Sequence, residues 1–482
     1  MEWTNIFLHN PAEPLLFHTG FFLFLFSLFL IFYSFIYNKR KVRNLAIIIF
    51  GFYFYFKSSG LFVILLILSI SSDYIFSKWI YKSKHPKQKK IILICSILFS
   101  LSFLVYFKYR NFFLENISYV IYNNYSLKEL ILPIGISFYT FQSISYLVDV
   151  YHNKIQPSGY VNYMLYMTFF PHLVAGPIVR AKDFLPQIKK PTILNKDNIN
   201  EAFYLIIKGF IKKAIIADYI AQYADSVFST PNGFSGTEHL VSSLCYTLQI
   251  FCDFSGYTDM AIGIALLLGF RLCVNFDSPY KSLNITNFWH RWHISLSSWL
   301  RDYVYIPFGG NKKGLILQML FLLLTMIIGG FWHGASWKFV FWGTGHGILL
   351  IIHKIVILKF SKKIKNSVFN FASWIITFIC VSLLWIPFRA SSMKDAIIIF
   401  NKIFTDIEFK YFFAIYTSNP LLIYFLVIGF VSTLLPNKIK EVLKKQFYDA
   451  NIITKFIILG LLIQLFLQVK SSSVQPFIYF QF

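Results

Sequence analysis

Two histidines near the ends of one stretch carry the clearest indication of chemistry in this 482-residue sequence. His293 lies in NFWHRWHISLSSW, and His333 lies in GGFWHGASW. A neutral imidazole has a pKa close to physiological pH, and it therefore suits a general base, which contributes about 10² to 10⁴ to a reaction rate. The residue types thus point to proton removal from a substrate group.

His333 follows residues 315–332, a run without any charged residue and with the length of a membrane crossing. An ionisable side chain at that depth is costly, and it predicts a functional site. The alternative is a structural histidine bonded to a carbonyl that is freed where Gly329, Gly330 and Gly334 loosen the helix. The physical argument alone leaves both interpretations open.

The element that must position His293 is a predicted helix over residues 288–301 with one dry and one charged face. At 100° per residue the large apolar side chains fall on one arc, and His293 falls at its edge. His290 and Arg301 lie on the opposite side, which is typical of a helix along a membrane boundary. The apolar arc consists of Phe288, Trp289, Trp292, Leu296, Trp299 and Leu300.

A zinc site formed by His290, His293 and His333 is the metal-binding alternative. The same wheel turns His290 about 60° further onto the polar arc, and no carboxylate joins the three histidines on the apolar side. We therefore predict no metal site.

The composition indicates a multi-pass membrane protein. Hydrophobic residues make up 56% of the chain and charged residues only 14%, which lies outside the range of soluble domains. The net charge of +24 is confined to short clusters between apolar runs, the pattern of cytoplasmic loops, so nucleic-acid binding is not expected. The five cysteines show no CxxC spacing and are interpreted as small buried apolar residues.

The basic clusters also predict the arrangement in the membrane. Placing them on the cytoplasmic side puts the N-terminus outside, where Glu2 and Glu13 precede the first apolar run. We expect an all-α bundle of about eleven or twelve transmembrane helices, forming one domain over residues 1–482. Residues 161–178, broken by Pro171 and Pro177, have basic neighbours on both sides and are interpreted as a re-entrant segment, with a kinked packing helix as the alternative.

Several motifs together resemble one family. They are PIGISFYTFQSISYLVDVY at 133–151, FFPHLVAGPIVR at 169–180, QIFCDFSGYTDMAIG at 249–263, the stretch around both histidines, and PFIYFQF at 476–482. Within residues 129–482 this set resembles the membrane-bound O-acyltransferase family, in particular its bacterial branch that acetylates polysaccharides. The resemblance implies a bundle with re-entrant and interfacial helices around a central tunnel.

The resemblance also implies roles for individual residues. His333 would be the general base, and His293 would orient the acceptor or stabilise the oxyanion. Arg301 and Asp302 are expected either to pair with each other or to hold donor phosphates. The further candidates for lining the substrate tunnel are Trp292, Trp299, Trp332, Arg301, Asp302 and His346.

The function that the resemblance implies is acyl transfer across the inner membrane of a bacterium. The donor would be a cytoplasmic thioester, with acetyl-CoA expected as co-substrate and no permanently bound cofactor. The acceptor would be hydroxyls of a cell-envelope polysaccharide, reached through a secreted O-acetyltransferase partner. Two alternatives remain open, namely transfer of D-alanine from a carrier protein to teichoic acid, and a non-catalytic transporter or scaffold.

Overall fold

Helices are the only regular elements that the described residues form. The computed structural model describes residues 8–10, 14–121, 130–359 and 367–469. The protein is an all-α polytopic membrane protein, as the composition predicts. Glu2, Glu13 and the motif at 476–482 lie outside the described residues.

The chain forms two compact units, residues 1–206 with 260–273 and residues 207–259 with 274–482. The first part of the chain contributes eleven helices to the described residues, in the following order: α1 Gly20–Ile36, α2 Arg40–Ser59, α3 Val63–Lys82, α4 Pro86–Leu104, α5 Arg110–Ile121, α6 Ile136–Tyr151, α7 Tyr160–Thr168, α8 Phe170–Leu173, α9 Ala181–Lys189, α10 Lys196–Phe210 and α11 Asp218–Ser229.

The long helix α12, Gly236–Leu267, contributes to both units. Eleven further helices follow it in the described residues. They are α13 Ile285–Arg291, α14 Ile294–Leu300, α15 Ile306–Phe308, α16 Leu315–His333, α17 Trp337–Lys359, α18 Ser367–Arg389, α19 Met393–Thr405, α20 Phe409–Ser418, α21 Pro420–Leu434, α22 Asn437–Asp449 and α23 Ile452–Val469.

Within the described residues, seven helical stretches are long and apolar enough to cross a membrane, or eight if α20 and α21 count as one broken span. The sequence led us to expect about eleven or twelve, because it scored every apolar run separately. Residues 40–82 form one continuous helical stretch, and α1 has only 17 residues. The short apolar run at 46–56 lies inside the 20-residue helix α2.

In the first unit, the segment predicted to be re-entrant is broken where its prolines predict. The helix α7 ends at Thr168, Phe169 is extended, and α8 begins at Phe170 with Pro171 in its first turn. Phe170 is fully buried, with ring centroids 4.9 Å from Phe50 and 5.6 Å from Phe54. Whether the segment enters the membrane from one side stays a prediction.

In the second unit, α16 and α17 pack closely because glycines line their contact. A Cβ on Gly330 would lie 2.3 Å from the carbonyl oxygen of Phe339, and one on Gly343 would lie 2.4 Å from that of Met326. No side chain fits at those distances, so glycine allows the two backbones to touch. These glycines thus serve the packing of the two helices, and α16 ends at His333.

The cysteine prediction is partly wrong. All five cysteines are free, which agrees with the absence of a disulfide pattern. Only Cys245 and Cys252 are buried, whereas Cys95 and Cys273 are exposed. An exposed thiol on an apolar membrane helix such as α4 can face lipid, so an apolar neighbourhood in sequence does not imply burial inside the protein.

Candidate active site

The continuous helix predicted over residues 288–301 is wrong, because the chain breaks at the candidate histidine. The helix α13 ends at Arg291, Trp292 is extended, and His293 adopts a left-handed conformation with φ of 42° before α14 begins at Ile294. A non-glycine residue in this region costs roughly 1–3 kcal/mol, and such residues cluster at functional sites. The helical wheel assumes unbroken rotation, and so it could not reveal this turn.

A neighbouring segment holds the break in place through the backbone. The amide of Ile294 donates to the carbonyl of Asn275 over 2.9 Å, and the amide of Asp277 donates to the carbonyl of Arg291 over 3.0 Å. These bonds satisfy backbone groups that the interrupted helix leaves free. All six residues of the predicted apolar arc are nevertheless buried, so the burial pattern is confirmed.

The side chain of His293 is fully buried and oriented by Asn275. The Asn275 Oδ1 atom lies 3.1 Å from His293 Nδ1 and also accepts from the Ser295 backbone amide over 3.1 Å. A backbone amide can only donate, so the Asn275 atom facing both groups is its oxygen, and His293 Nδ1 carries the hydrogen. His293 Nε2 is then the nitrogen with a lone pair when the ring is neutral.

Burial also keeps the His293 ring neutral. It lowers the pKa of His293 to about 3, because the surrounding protein disfavours the charged imidazolium. A base with so low a pKa removes a proton weakly, since general bases work best near the operating pH. The sequence placed His293 at the edge of the apolar arc, and the break turns it fully inward instead.

His333 lies in the same buried aromatic cluster as His293. The Trp332 ring is 6.2 Å from His293 and 4.9 Å from His333, measured between ring centroids. His333 is 3% exposed and also contacts the rings of Trp342 at 5.0 Å and Phe388 at 5.2 Å. The structure thus brings both predicted histidines to one dry region, with Trp332 adjoining each.

Two other predicted residues belong to this cluster. Trp292 is 1% exposed and lies 5.0 Å from the Trp385 ring. His346 is fully buried, with ring centroids 4.7 Å from Trp342 and 5.1 Å from Trp289. The sequence candidates on three different helices or turns therefore meet within one set of touching rings.

The remaining candidates lie elsewhere. Trp299 is buried beside Tyr303, with ring centroids 5.2 Å apart. Arg301 and Asp302 form an ion pair of 2.9 Å in which the Arg301 side chain is 64% exposed. This pairing is one of the two outcomes expected for Arg301 and Asp302, and a role in lining a tunnel stays a prediction for all three residues.

A cavity of about 670 Å³ adjoins the cluster. Trp289 contributes to its wall, and so does Ile294, the chain neighbour of His293. Its basic lining residues are His290, Arg301, His353 and Lys354, and the part of the lining that the structure describes includes no Asp or Glu. Such a lining suits an anionic group.

Comparison with known proteins decides the family. The sequence profile of the membrane-bound O-acyltransferase family matches residues 151–386. The chain is 37% identical to the peptidoglycan O-acetyltransferase of Helicobacter pylori over 381 residues, covering 73% of this chain and 72% of that protein. The chain belongs to the membrane-bound O-acyltransferase family. The protein is accordingly an acyltransferase, and the non-catalytic alternative is set aside.

Other relatives of this acyltransferase fall into two groups. The probable alginate O-acetylase of Pseudomonas aeruginosa is 38% identical over 393 residues, which cover 79% of this chain and 73% of that protein. The teichoic acid D-alanyltransferase of Bacillus subtilis is 31% identical over 250 residues, which cover 49% of this chain and 62% of that protein. The similarity to the D-alanyltransferase is therefore lower and covers less of the chain.

Sequence reasoning missed three parts of the acyltransferase site. Asn275 gave no signal, because it lies 18 residues before His293 in the chain, with α13 between them. Trp342 and Trp385 lie in apolar runs that resemble ordinary membrane helices, in which a tryptophan gives no signal of its own. Among the described residues, no group of three or more His, Cys, Asp or Glu is arranged to hold a metal ion.

Proposed function

We propose that this acyltransferase moves an acetyl group from acetyl-CoA to hydroxyls of a cell-envelope polysaccharide. The observation that carries the proposal is the meeting of His293 and His333 at Trp332 in one buried cluster, beside a cavity with a basic lining. The names of the relatives support the acetyl group and the polysaccharide acceptor, because one acts on peptidoglycan and another on alginate. The greater extent of these two matches favours acetyl over D-alanyl transfer.

In the proposed reaction His333 takes the proton of the acceptor hydroxyl as its oxygen attacks the thioester carbonyl carbon. The carbon–sulfur bond then breaks, the new ester forms, and the proton passes from His333 to the departing thiolate. Base catalysis of this kind contributes about 10² to 10⁴ in rate. The burial of His333 excludes water, which would otherwise compete as the acceptor.

His293 is proposed to position the acceptor rather than to remove its proton. With its hydrogen on Nδ1, facing Asn275, the neutral ring can accept a hydrogen bond at Nε2 but cannot donate one there. A ring that only accepts suits a second hydroxyl of the acceptor, because the proton of the attacking hydroxyl goes to His333, and it does not suit an oxyanion. Of the two roles left open by the sequence, the geometry therefore supports orientation of the acceptor.

The basic cavity is proposed to receive the phosphates of the donor from the cytoplasmic side. Coenzyme A exists inside the cell, and the polysaccharide exists outside, so the reaction must connect two compartments. We place the protein in the inner membrane with its basic loops in the cytoplasm and its N-terminus outside, following the distribution of lysine and arginine. An intermediate acceptor would supply the hydroxyl at His333, and a secreted partner would carry the acetyl group from it onward to the polymer.

Acetyl transfer from radiolabelled acetyl-CoA in membranes tests the proposal. We expect His333→Ala to reduce the label in polysaccharide by about 10²- to 10⁴-fold and His293→Ala to reduce it less, at equal abundance of the protein. His85→Ala is the matched control, because His85 is an exposed histidine in the short connection before α4, and it should retain wild-type activity.

Three results would contradict the proposal. One is full activity in His333→Ala, and another is transfer of D-alanine from a charged carrier protein in place of acetyl transfer. The third is the absence of any label in the polymer from wild-type membranes that contain the partner. Each result points to a different part of the proposal, namely the base, the donor and the overall reaction.

A further inference from the structure

His346 is a buried polar residue that the proposed reaction does not use. It is fully buried on α17, and neither of its ring nitrogens has a hydrogen-bond partner among the described residues. Burying an unpaired polar group costs roughly 1–3 kcal/mol, and an aromatic residue of similar size would pack there without that cost. Both ring nitrogens of His346 therefore have hydrogen-bonding capacity that the described residues do not use.

Two neighbours of His346 also bury polar nitrogen atoms. Its ring lies 5.1 Å from Trp289 and 4.7 Å from Trp342. The indole nitrogens of both tryptophans are also buried without a hydrogen-bond partner in the part of the chain that the structure describes. Each indole can only donate, whereas a neutral imidazole can donate and accept. Together the three rings could bind a carbonyl or an amide.

His346, Trp289 and Trp342 adjoin both the basic cavity and the proposed base His333. Trp289 forms part of the wall of the basic cavity. Trp342 lies 5.0 Å from the ring of His333. Trp289 and Trp342 also contact each other, with ring centroids 5.8 Å apart, and His346 packs against both, so it adjoins the row of rings that leads from the cavity to the proposed base.

We propose that His346 is a substrate-contacting residue that hydrogen-bonds a carbonyl or amide in the arm of the acyl thioester donor. This inference rests on the proposed function, in which the cavity holds the donor phosphates and His333 acts at the thioester. The arm of coenzyme A carries two amides and ends in the thioester, so it offers both acceptors and donors. The charged end would bind in the cavity, and the arm would pass along Trp289 and His346 to reach His333.

The test is a pair of substitutions with separate kinetic and stability readouts. His346→Phe keeps an aromatic ring but removes both nitrogens, and we expect the KM for acetyl-CoA to rise about tenfold while kcat changes by less than about threefold. His346→Gln can donate and accept, and its KM should stay within about threefold of wild type. His85→Phe is the matched control for introducing a phenylalanine.

Thermal unfolding of the solubilised variants separates substrate contact from a structural role. His346→Phe should be as stable as wild type or more stable, because it removes unpaired polar atoms from an apolar region. If the Phe variant does not accumulate, His346→Leu takes its place. A destabilised variant with an unchanged KM would overturn the inference.

A donor without amides provides a further readout. Wild type should use S-acetyl-N-acetylcysteamine, which has one amide, better than S-ethyl thioacetate, which has none. His346→Phe should lose most of this preference, and an unchanged preference would contradict the inference. Failure of the proposed function looks different, because wild-type membranes would then transfer no acetyl group from acetyl-CoA at all.

Discussion

Two regions of the second unit bury polar side chains, and they differ in whether those side chains have partners inside the protein. Near the start of this unit, lysines and aspartates neutralise one another inside the protein. In the cluster around Trp332 and Trp342, the histidines lie among aromatic rings that offer little hydrogen bonding. Groups that find partners inside the chain serve the fold, whereas His346, which finds none among the described residues, is available to a substrate.

The lysine–aspartate network is buried at its centre, which is the pair Lys213 and Asp253. Lys213 Nζ lies 2.9 Å from Asp253 Oδ1 and 2.8 Å from Asp218 Oδ1, and the side chains of Lys213 and Asp253 are 1% and 3% exposed. Lys212 pairs with Asp259 over 2.7 Å. Asp253 and Asp259, which both lie on α12, are therefore held in ion pairs with lysines of the preceding segment.

The largest effect on stability is expected when this network loses its central cation. Lys213→Met leaves two carboxylates facing each other in a buried region, and removing one partner of a buried ion pair costs about 3–5 kcal/mol. We expect a large drop in the unfolding temperature of the solubilised protein, with kcat per folded molecule changed by less than about threefold. Thermal unfolding followed by acetyl transfer measures both quantities.

The control for this prediction is the same substitution at an exposed lysine. Lys182 is exposed on α9, and Lys182→Met should leave stability within about 0.5 kcal/mol of wild type. Adding Asp218→Asn and Asp253→Asn to Lys213→Met should recover part of the lost stability, because the unpaired charges disappear. If Lys213→Met is stable but inactive, the network is needed for acyl transfer. That result would contradict the distinction between this structural network and the proposed site.

A smaller effect on stability is expected at Asn275. This residue both supports the fold and orients His293, a proposed site residue. Asn275→Ala removes the oxygen that accepts from His293 Nδ1 and from Ser295. An unpaired buried donor costs about 1–3 kcal/mol, and activity should fall about tenfold because the ring of His293 loses its orientation. Thermal unfolding and the kcat of acetyl transfer measure these two losses.

Asn275→Asp sharpens the prediction, since it keeps an oxygen in the same place. This variant should recover most of the stability lost in Asn275→Ala. Equal loss of stability in both variants would mean that the oxygen is not what holds the break at His293.

The smallest effect on stability is expected at Arg301, whose ion pair is exposed. Arg301→Gln breaks the contact with Asp302, and exposed ion pairs contribute only about 0–1 kcal/mol. Because Arg301 also lines the basic cavity, the KM for acetyl-CoA should rise severalfold at low salt and less at high salt. Kinetics at two ionic strengths check this, and a salt-independent KM would argue against phosphate binding there.

The sequence was sufficient to predict the fold class. Hydropathy identified an all-α membrane protein, because that property depends on local composition. The wheel also predicted which side chains around His293 are buried. These features follow from residues near one another in the chain.

The rest depends on contacts between distant residues. The left-handed turn at His293 is stabilised by backbone hydrogen bonds to residues 275–277. The local sequence around His293 does not predict that this segment pairs with it. The touching of His346 with Trp289 requires the packing of α13 against α17, which sequence periodicity does not specify. The cavity with its basic lining also depends on contacts between distant residues, so the clusters of lysine and arginine in the sequence could not predict it.

The glycine contact between α16 and α17 has a consequence for motion. Because the two backbones touch at Gly330 and Gly343, sliding one helix past the other would produce steric clashes, and the pair must move as a rigid body. His333 and His346 are therefore held at a fixed spacing. A bulky substrate would therefore be admitted by movement of the elements that pack against this pair, among them α13 and α18, whose Trp289 and Trp385 rings contact Trp342.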